Sequence, residues 1–396
     1  MRILIVSQFY PPDITAAAFR IGETAAVLRE LGHDVRIITA EPHKSDARAD
    51  HDDDRRQGVV RVPVSSHDGG GTWRYVSHYL SFTRRSAWAG LSRLFGRWRP
   101  DVVWATSPPL FVGLSGWFLA RLNRCPLVFD VRDIWPESAV AAGQLSATGF
   151  GFRVGKMLEK WLYDRADHIT CVSSRMAGHI ASRTRTGTSV IYNGVPEGVA
   201  GRAAATVDRR RILYAGNLGR AQALDAVIKG FAQVAQSPIA AGWTLEFLGN
   251  GALRDELRAL AADLRVEERV AFHPAVGKDT ALGELARSAA LLISLRSDAV
   301  FDLTIPSKVF DYLAVGRPIL FGINGEGRDI LDAAGANIGF APGDADSFAT
   351  AIRRLIADYD ELDGRARRNP AAVTEAYSRE GNTGRLALVL ERSTVR

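Results

Sequence analysis

The chain has 396 residues, of which 46% are hydrophobic and 24% charged, and a formal net charge of +6. That balance excludes a disordered or fibrous protein and supplies enough apolar residues for two cores of ordinary domain size. Only two cysteines are present, Cys125 and Cys171, both in strand-like runs. This excludes a disulfide scaffold or a cysteine zinc site and points to a reducing compartment, while the positive charge invites an anionic partner.

Taken from the start, residues 2–7 (Arg-Ile-Leu-Ile-Val-Ser) read as a buried strand, being too short an apolar run for a signal peptide. A helical pattern over 16–31 stops at Gly32, and a strand follows at 34–39. The run 41–56 holds His43, Asp46, Asp50, His51, Asp52, Asp53 and Asp54. A metal site is one reading, but no apolar frame fixes these side chains, so a solvated mobile loop is expected and no metal site is assigned. After a strand at 59–64 comes the most basic stretch. Residues 69–100 contain six arginines and no acid, interleaved with Trp73, Tyr75, Tyr79, Phe82, Trp88, Phe95 and Trp98. Trp88, Leu91, Phe95 and Trp98 fall at helical spacing, with Arg93 and Arg97 on another face. This is the composition of an interfacial amphipathic helix on an anionic membrane; a core-facing helix with an arginine-rich solvent side is the competing reading. No nucleic-acid-binding module is recognisable.

The next 19 residues of interest, 102–120, carry no charge, close to membrane-spanning length. Pro108-Pro109 divides them into a strand at 101–106 and a helix at 110–120 too short to span. A strand at 127–132 leads into Arg132-Asp133-Ile134-Trp135-Pro136-Glu137. Asp133 and Glu137 could serve there as a base or as hydroxyl-binding groups; an internal ion pair with Arg132 explains them equally. Strands at 168–173 and 189–192 complete a first series. The Pro-, Gly- and Ala-rich stretch 196–208 reads as a linker. The expected organisation is a first domain over 1–195, a second over 209–375, and a segment 376–396 that returns to pack on the first.

The second series offers strands at 212–215, 244–248, 270–273, 291–295, 318–323 and 338–341, with helices such as 223–235 and 253–264 between them. Strand–helix alternation of this kind predicts α/β architecture: two doubly wound parallel sheets facing each other, with a ligand site at the strands' carboxyl ends in the cleft between them. Three segments lie at such ends. Tyr214-Ala215-Gly216-Asn217-Leu218-Gly219-Arg220 lets backbone N–H groups approach an anion, with Arg220 as a phosphate clamp. Leu248-Gly249-Asn250-Gly251 has the same form. Each alone is no more than a tight turn.

The third segment, residues 305–318, is a short helix marked at both ends. Pro306 suits the first turn, Gly316 a left-handed stop, and Pro318 blocks continuation. Ser307, Lys308 and Asp311 share one face. Lys308 stands in the first turn, where the macrodipole disfavours a cation unless an anion binds there. Asp311, one turn on, can accept from two ribose hydroxyls. A plain helix feeding a buried strand accounts for Val309, Phe310 and Leu313, but not for the lysine.

These residues together resemble the family-four retaining glycosyltransferases of the GT-B fold. The likeness rests on Ser7-Gln8-Phe9-Tyr10-Pro11-Pro12, residues 130–138, Tyr192-Asn193-Gly194-Val195, residues 214–222, and Pro306-Ser307-Lys308 through Gly316-Arg317-Pro318. It is closest to the bacterial branch that builds O-antigen, capsule and exopolysaccharide, including N-acetylfucosaminyl-type transferases. The resemblance implies a nucleoside-diphosphate sugar donor (UDP-sugar favoured) and retention of anomeric configuration. It also implies no cofactor or essential metal and a lipid-linked glycan acceptor at the cytoplasmic face of the inner membrane. Donor binding would fall to Gly216, Asn217, Arg220, Gly249, Thr304, Ile305, Ser307, Lys308 and Asp311. Catalysis would fall to Asp133, Arg132 and Glu137, and acceptor or membrane contact to Trp88, Arg93, Arg97 and Trp98. The chain departs from the family pattern at several points. Asp311 replaces the ribose-binding glutamate, Leu303 the earlier glutamate, and Arg132 a histidine near the sugar. Ile14-Thr15-Ala16-Ala17 replaces a glycine pair, and Asn217 and Gln222 stand where cations are usual. Two other classes share the sequence features: a nucleotide-sugar 2-epimerase of the same fold, and a non-catalytic nucleotide-sugar-binding subunit.

Overall fold

The computed structural model describes residues 1–43, 49–65, 72–91, 98–141, 143, 145–195, 198–199 and 207–395. The chain divides into two compact units, Met1–Asn193 with Arg379–Arg396, and Gly194–Ser378. Each is built on one parallel sheet.

The first sheet holds β1 (Arg2–Val6), β2 (Asp34–Ala40), β3 (Val59–Val62), β4 (Val102–Thr106), β5 (Leu127–Val131), β6 (His168–Cys171) and β7 (Thr188–Val190), in the order β3-β2-β1-β4-β5-β6-β7. Its strands are near-continuous Val, Ile and Leu runs because helices cover both faces. Helix Ala16–Glu30 shows how the covering is encoded. Thr15 caps it by accepting from the Ala18 N–H at 3.1 Å, and Ala18, Ile21, Ala25 and Leu28 form its buried stripe. The C-terminal helix Arg379–Thr394 adds Leu386, Ala387 and Leu390 to the same core as Ile3, Ile5, Trp104 and Val128.

The second sheet holds β8 (Asp208–Ala215), β9 (Thr244–Leu248), β10 (Val270–His273), β11 (Ser288–Ser294), β12 (Ile319–Gly322) and β13 (Ile338–Gly339), in the order β10-β9-β8-β11-β12-β13. Both sheets reverse strand order once, at β1/β4 and at β8/β11, as a doubly wound sheet does.

Two expectations are corrected here. The stretch 196–208, read as a linker, ends one residue inside β8, which begins at Asp208 and takes in the arginine run 209–211; Arg211 pairs with Glu246 at 2.8 Å and Glu284 at 2.6 Å. The acidic run is not wholly a solvated loop, since helix His51–Arg56 forms within it. Asp50 caps that helix by accepting from the N–H groups of Asp52 and Asp53, and three aspartates in its first turn suit the dipole. Asp54 is buried and paired with Arg61 at 2.6 Å. Asp46 lies outside the described residues. No described helix is long and apolar enough to cross a membrane.

Candidate functional site

The switch point of the second sheet lies between β8 and β11, and the glycine loops and the lysine helix meet at its carboxyl edge. β8 runs directly into Gly216, whose N–H donates to Leu248 O at 2.9 Å, so the loops after β8 and β9 are tied together. Leu218 N–H donates to Asn250 O at 2.9 Å and extends the tie. Gly216 and Gly249 have φ of +142° and +153°, backbone that side chains rarely adopt. A Cβ on Gly249 would lie 2.0 Å from Gly216 O, and one on Gly216 would lie 2.7 Å from Lys308 Nζ. Neither position has room for a side chain, and the space they leave is where Lys308 ends.

Lys308 opens the helix Lys308–Val315, which stops at Gly316 with φ +74° as its sequence indicates. Its Nζ sits 3.6 Å from the centroid of the Tyr214 ring, a distance at which the protonated form would make a cation–π contact. Among the described residues no carboxylate pairs with it, and burial pushes its amine down to about 7. Two tyrosines that sequence reasoning missed hold this arrangement. Tyr214 OH donates to Asn217 O at 2.7 Å and fixes the glycine loop. Tyr312 OH accepts from Ala215 N–H at 3.0 Å and donates to Ala215 O at 3.3 Å, pinning the helix to the end of β8. Burial raises both hydroxyls above the ordinary phenol range, so both remain neutral donors.

The other donor candidates are placed as follows. Asp311 is half-buried, one turn beyond Lys308 on the same helix, and no ion pair joins the two. Ser307 precedes the helix without a side-chain capping bond. Thr304 does not offer its N–H, which donates to Phe301 O at 3.1 Å, while its hydroxyl donates to the same carbonyl. Ile305 is buried. Asn217 and Arg220 are exposed on the loop after β8, where Gln222 Oε1 accepts from Gly219 N–H at 3.1 Å. A second group went unnoticed. Ser294 ends β11, three residues beyond the Leu291–Leu213 register pair and so level with Gly216, and its buried hydroxyl has no partner among the described residues.

In the first unit the three catalytic candidates separate. Arg132 is held away from Asp133 and Glu137: its Nε donates to Asp130 at 2.7 Å and its Nη1 to Ile191 O at 2.9 Å and to Asn193. Glu137 pairs with Lys156 at 2.8 Å and Arg183 at 3.4 Å, beside the buried Glu159. The internal ion pair among Arg132, Asp133 and Glu137 therefore does not form. Asp133 accepts from Ser138 Oγ at 2.8 Å, and burial raises its carboxyl above the usual range, aided by the Glu137 charge and opposed by the Ser138 bond. It is the member of the trio without an oppositely charged partner among the described residues. No cluster of three or more His, Cys, Asp or Glu side chains able to hold a metal occurs among the described residues.

The aromatic segment is divided. Helix Thr72–Leu91 exposes Leu80, Arg84, Trp88 and Leu91 along one stripe and buries Phe82, Ser86 and Ala89. The neighbouring helix Val112–Asn123, which packs against it at Gly90 and Leu119, exposes Phe118 and Leu122. Trp98 does not continue the stripe. Its Nε1–H donates to Asp34 at 2.6 Å, and the Arg36 guanidinium lies 4.7 Å over its ring. Arg93 and Arg97 lie outside the described residues.

Residues 15–194 match the glycosyl transferase 4-like domain family, and residues 209–358 match the family of glycosyl transferases group 1. The putative colanic acid biosynthesis glycosyl transferase WcaI of Escherichia coli strain K12 is 26% identical over 341 residues, 80% of this chain and 82% of the relative. Sucrose-phosphate synthase from Thermosynechococcus elongatus superposes with a TM-score of 0.74 at 15% identity, over 99% of this chain and 98% of that one. Anabaena HepE in complex with UDP-glucose superposes at 0.73 and 15% identity, over 99% and 100%. At such identities the likeness establishes the fold, two parallel-sheet α/β domains of the GT-B type.

Proposed function

We propose that this chain, a glycosyltransferase of the GT-B type by both of its domains, moves a sugar from a nucleoside diphosphate to a hydroxyl of a lipid-linked glycan. The setting is bacterial surface-polysaccharide assembly, at the cytoplasmic face of the inner membrane. The observation that carries the donor side is Lys308, a lysine with no described carboxylate partner, ending where two glycine loops leave room at the switch point of the second sheet. Ligands of doubly wound sheets bind at that point, and a diphosphate is the anion that a first-turn lysine and close backbone approach suit. UDP is favoured as the nucleotide, since HepE carries UDP-glucose on the same fold; the polysaccharide setting follows the name of WcaI.

In this reading Lys308 and Arg220 neutralise the departing diphosphate, where charge develops as the bond between the sugar's anomeric carbon and the phosphate oxygen breaks. Two cations in that role make an essential metal unnecessary. Asp311 takes the ribose hydroxyls. Asp133, raised by burial, orients donor-sugar or acceptor hydroxyls, while Arg132 and Glu137 act by position through their ion pairs. Anomeric configuration is retained. The stripe of Leu80, Arg84, Trp88 and Leu91 rests on anionic lipid and brings the acceptor to hand.

The test is transfer of labelled sugar from UDP-, GDP- and ADP-sugars into the organic-extractable fraction of bacterial membranes. Label in lipid with release of one nucleoside diphosphate supports the reading. Conversion of the donor to another nucleotide sugar without acceptor would identify an epimerase instead. Binding to anionic vesicles should weaken as salt rises and be lost in Trp88→Glu; a wild type indifferent to such vesicles at low salt sinks the membrane part.

A further inference from the structure

The place of Lys308 between the glycine loops poses an electrostatic problem. Lys308 Nζ lies over the Tyr214 ring and against Gly216, and no described carboxylate compensates it. An ammonium held there without a counterion loses hydration and regains only the attraction of one ring face. A nucleoside diphosphate would supply the missing charge. We propose that the donor enters this cradle together with a proton, with Lys308 a neutral amine in the empty site and an ammonium in the occupied one. The proposal rests on the donor-site reading above and adds to it a ligand-coupled change of charge.

The surroundings leave Lys308 as the group that changes. From β8, Tyr214 presents a neutral phenol, as does Tyr312 from the lysine's own helix, and both are raised by burial. Asp311 lies on the same helix, and Arg220 is exposed on the loop after β8. Beyond the β9 loop, Arg254 is committed to the carbonyls of Gly249, Phe272 and His273. His273 is bridged to Glu246 at 2.8 Å. Burial alone lowers the lysine, to about 7, and a diphosphate in contact restores the charged form by attraction. An arginine in this place would remain charged in both states. A lysine can release its proton when the diphosphate leaves, so the emptied site holds no uncompensated cation.

The coupling also discriminates among ligands. A nucleoside brings no charge to hold the proton, a monophosphate less than a diphosphate. The penalty for raising pH should therefore grow with the charge of the ligand's phosphate chain.

The experiment is calorimetric titration of the full-length protein with UDP, and with GDP and ADP in parallel, in buffers of different ionisation enthalpy. The pH runs from 8 to 9.5, above the second ionisation of a phosphate near 6 and above the ordinary imidazole range. For a group near 7 that is fully protonated when occupied, about 0.9 proton should be taken up per diphosphate at pH 8. Affinity should then fall about tenfold per pH unit. Lys308→Arg should keep diphosphate binding and abolish both the uptake and the slope. Tight binding with no proton uptake and no pH slope in the wild type overturns the proposal and leaves the donor site standing. Uptake that persists in Lys308→Arg also overturns it. Absence of binding by any of the three diphosphates overturns the donor-site reading, and the proton coupling with it.

Discussion

Replacing Asp130 with asparagine should be the most damaging single change in the first unit. Asp130 is fully buried at the end of β5 and accepts from four groups: Arg20 Nη1 at 3.1 Å, Arg132 Nε at 2.7 Å, Thr106 Oγ1 at 2.7 Å and Thr170 Oγ1 at 2.6 Å. Two guanidiniums share this one carboxylate. Burial pushes the carboxyl up, but Arg132 and Arg20 outweigh it and hold Asp130 below the usual range. Arg20 shows the opposite side of the sharing: burial and then the like charge of Arg132 push it down to about 9. Removing the carboxylate charge leaves two buried cations facing each other, the case in which breaking a buried pair costs about 3–5 kcal/mol. For a unit of this size that is about 6–20 °C of melting temperature.

Calorimetry and urea unfolding of Asp130→Asn would measure the loss. The pH dependence gives its sign. A carboxyl depressed in the fold contributes stability above its unfolded value near 4 that is lost as pH falls through the folded value, so the wild type should lose this contribution in acid and the variant should have none to lose. Arg132→Met should recover part of the loss in the double variant, because one of the stranded cations is then gone. A cost below about 1 kcal/mol for Asp130→Asn would refute the reasoning and show that water reaches the cluster.

Three further changes bear on the donor unit. Gly249→Ala would place a methyl 2.0 Å from Gly216 O at φ +153°, and should cost about 1–3 kcal/mol of stability and weaken diphosphate binding; unchanged melting and affinity would contradict the close approach. Asp311→Ala should make 2′-deoxy and ribose nucleotides bind nearly alike, and a deoxy penalty that persists in the variant would remove Asp311 from the ribose. Lys308 is lowered by burial from 10.5 to about 7, so the unfolded chain binds its proton more readily between those values and the empty protein should gain up to about 1.4 kcal/mol of stability per pH unit across that window. Lys308→Met should flatten that rise, and parallel pH–stability curves for the two proteins would show that the amine is hydrated.

Much of the architecture was legible because it is written in contiguous signals. Thirteen apolar runs bounded by Gly, Pro or charge became the thirteen strands of the described residues, and the marked ends of residues 305–318 became the helix Lys308–Val315 with its left-handed stop. What escaped was set by contacts distant in sequence or by the period of a strand. Tyr312 meets Ala215 across 97 positions, and nothing near either residue announces it. Arg132 adjoins Asp133 in sequence, but it follows directly on β5, and two positions from Asp130 its side chain falls on the same side of the strand's end, where it pairs with that carboxylate. Trp98 was assigned by extending the helical period past Leu91, where the described helix ends, and the ring instead docks on Asp34 and Arg36. The acidic run held a readable signal, an aspartate cap followed by three first-turn aspartates, that its charge obscured.

The account stands most directly on whether Lys308 holds a diphosphate. Titration calorimetry of the wild type and Lys308→Ala with UDP, GDP and ADP and with the matching bare nucleosides measures this. One diphosphate should bind the wild type and lose about 10- to 150-fold in Lys308→Ala, the equivalent of a 1.5–3 kcal/mol charge-assisted contact, while its nucleoside changes little. Equal losses for nucleoside and diphosphate, or no binding by any of the three, would contradict the placement of the donor in this cradle.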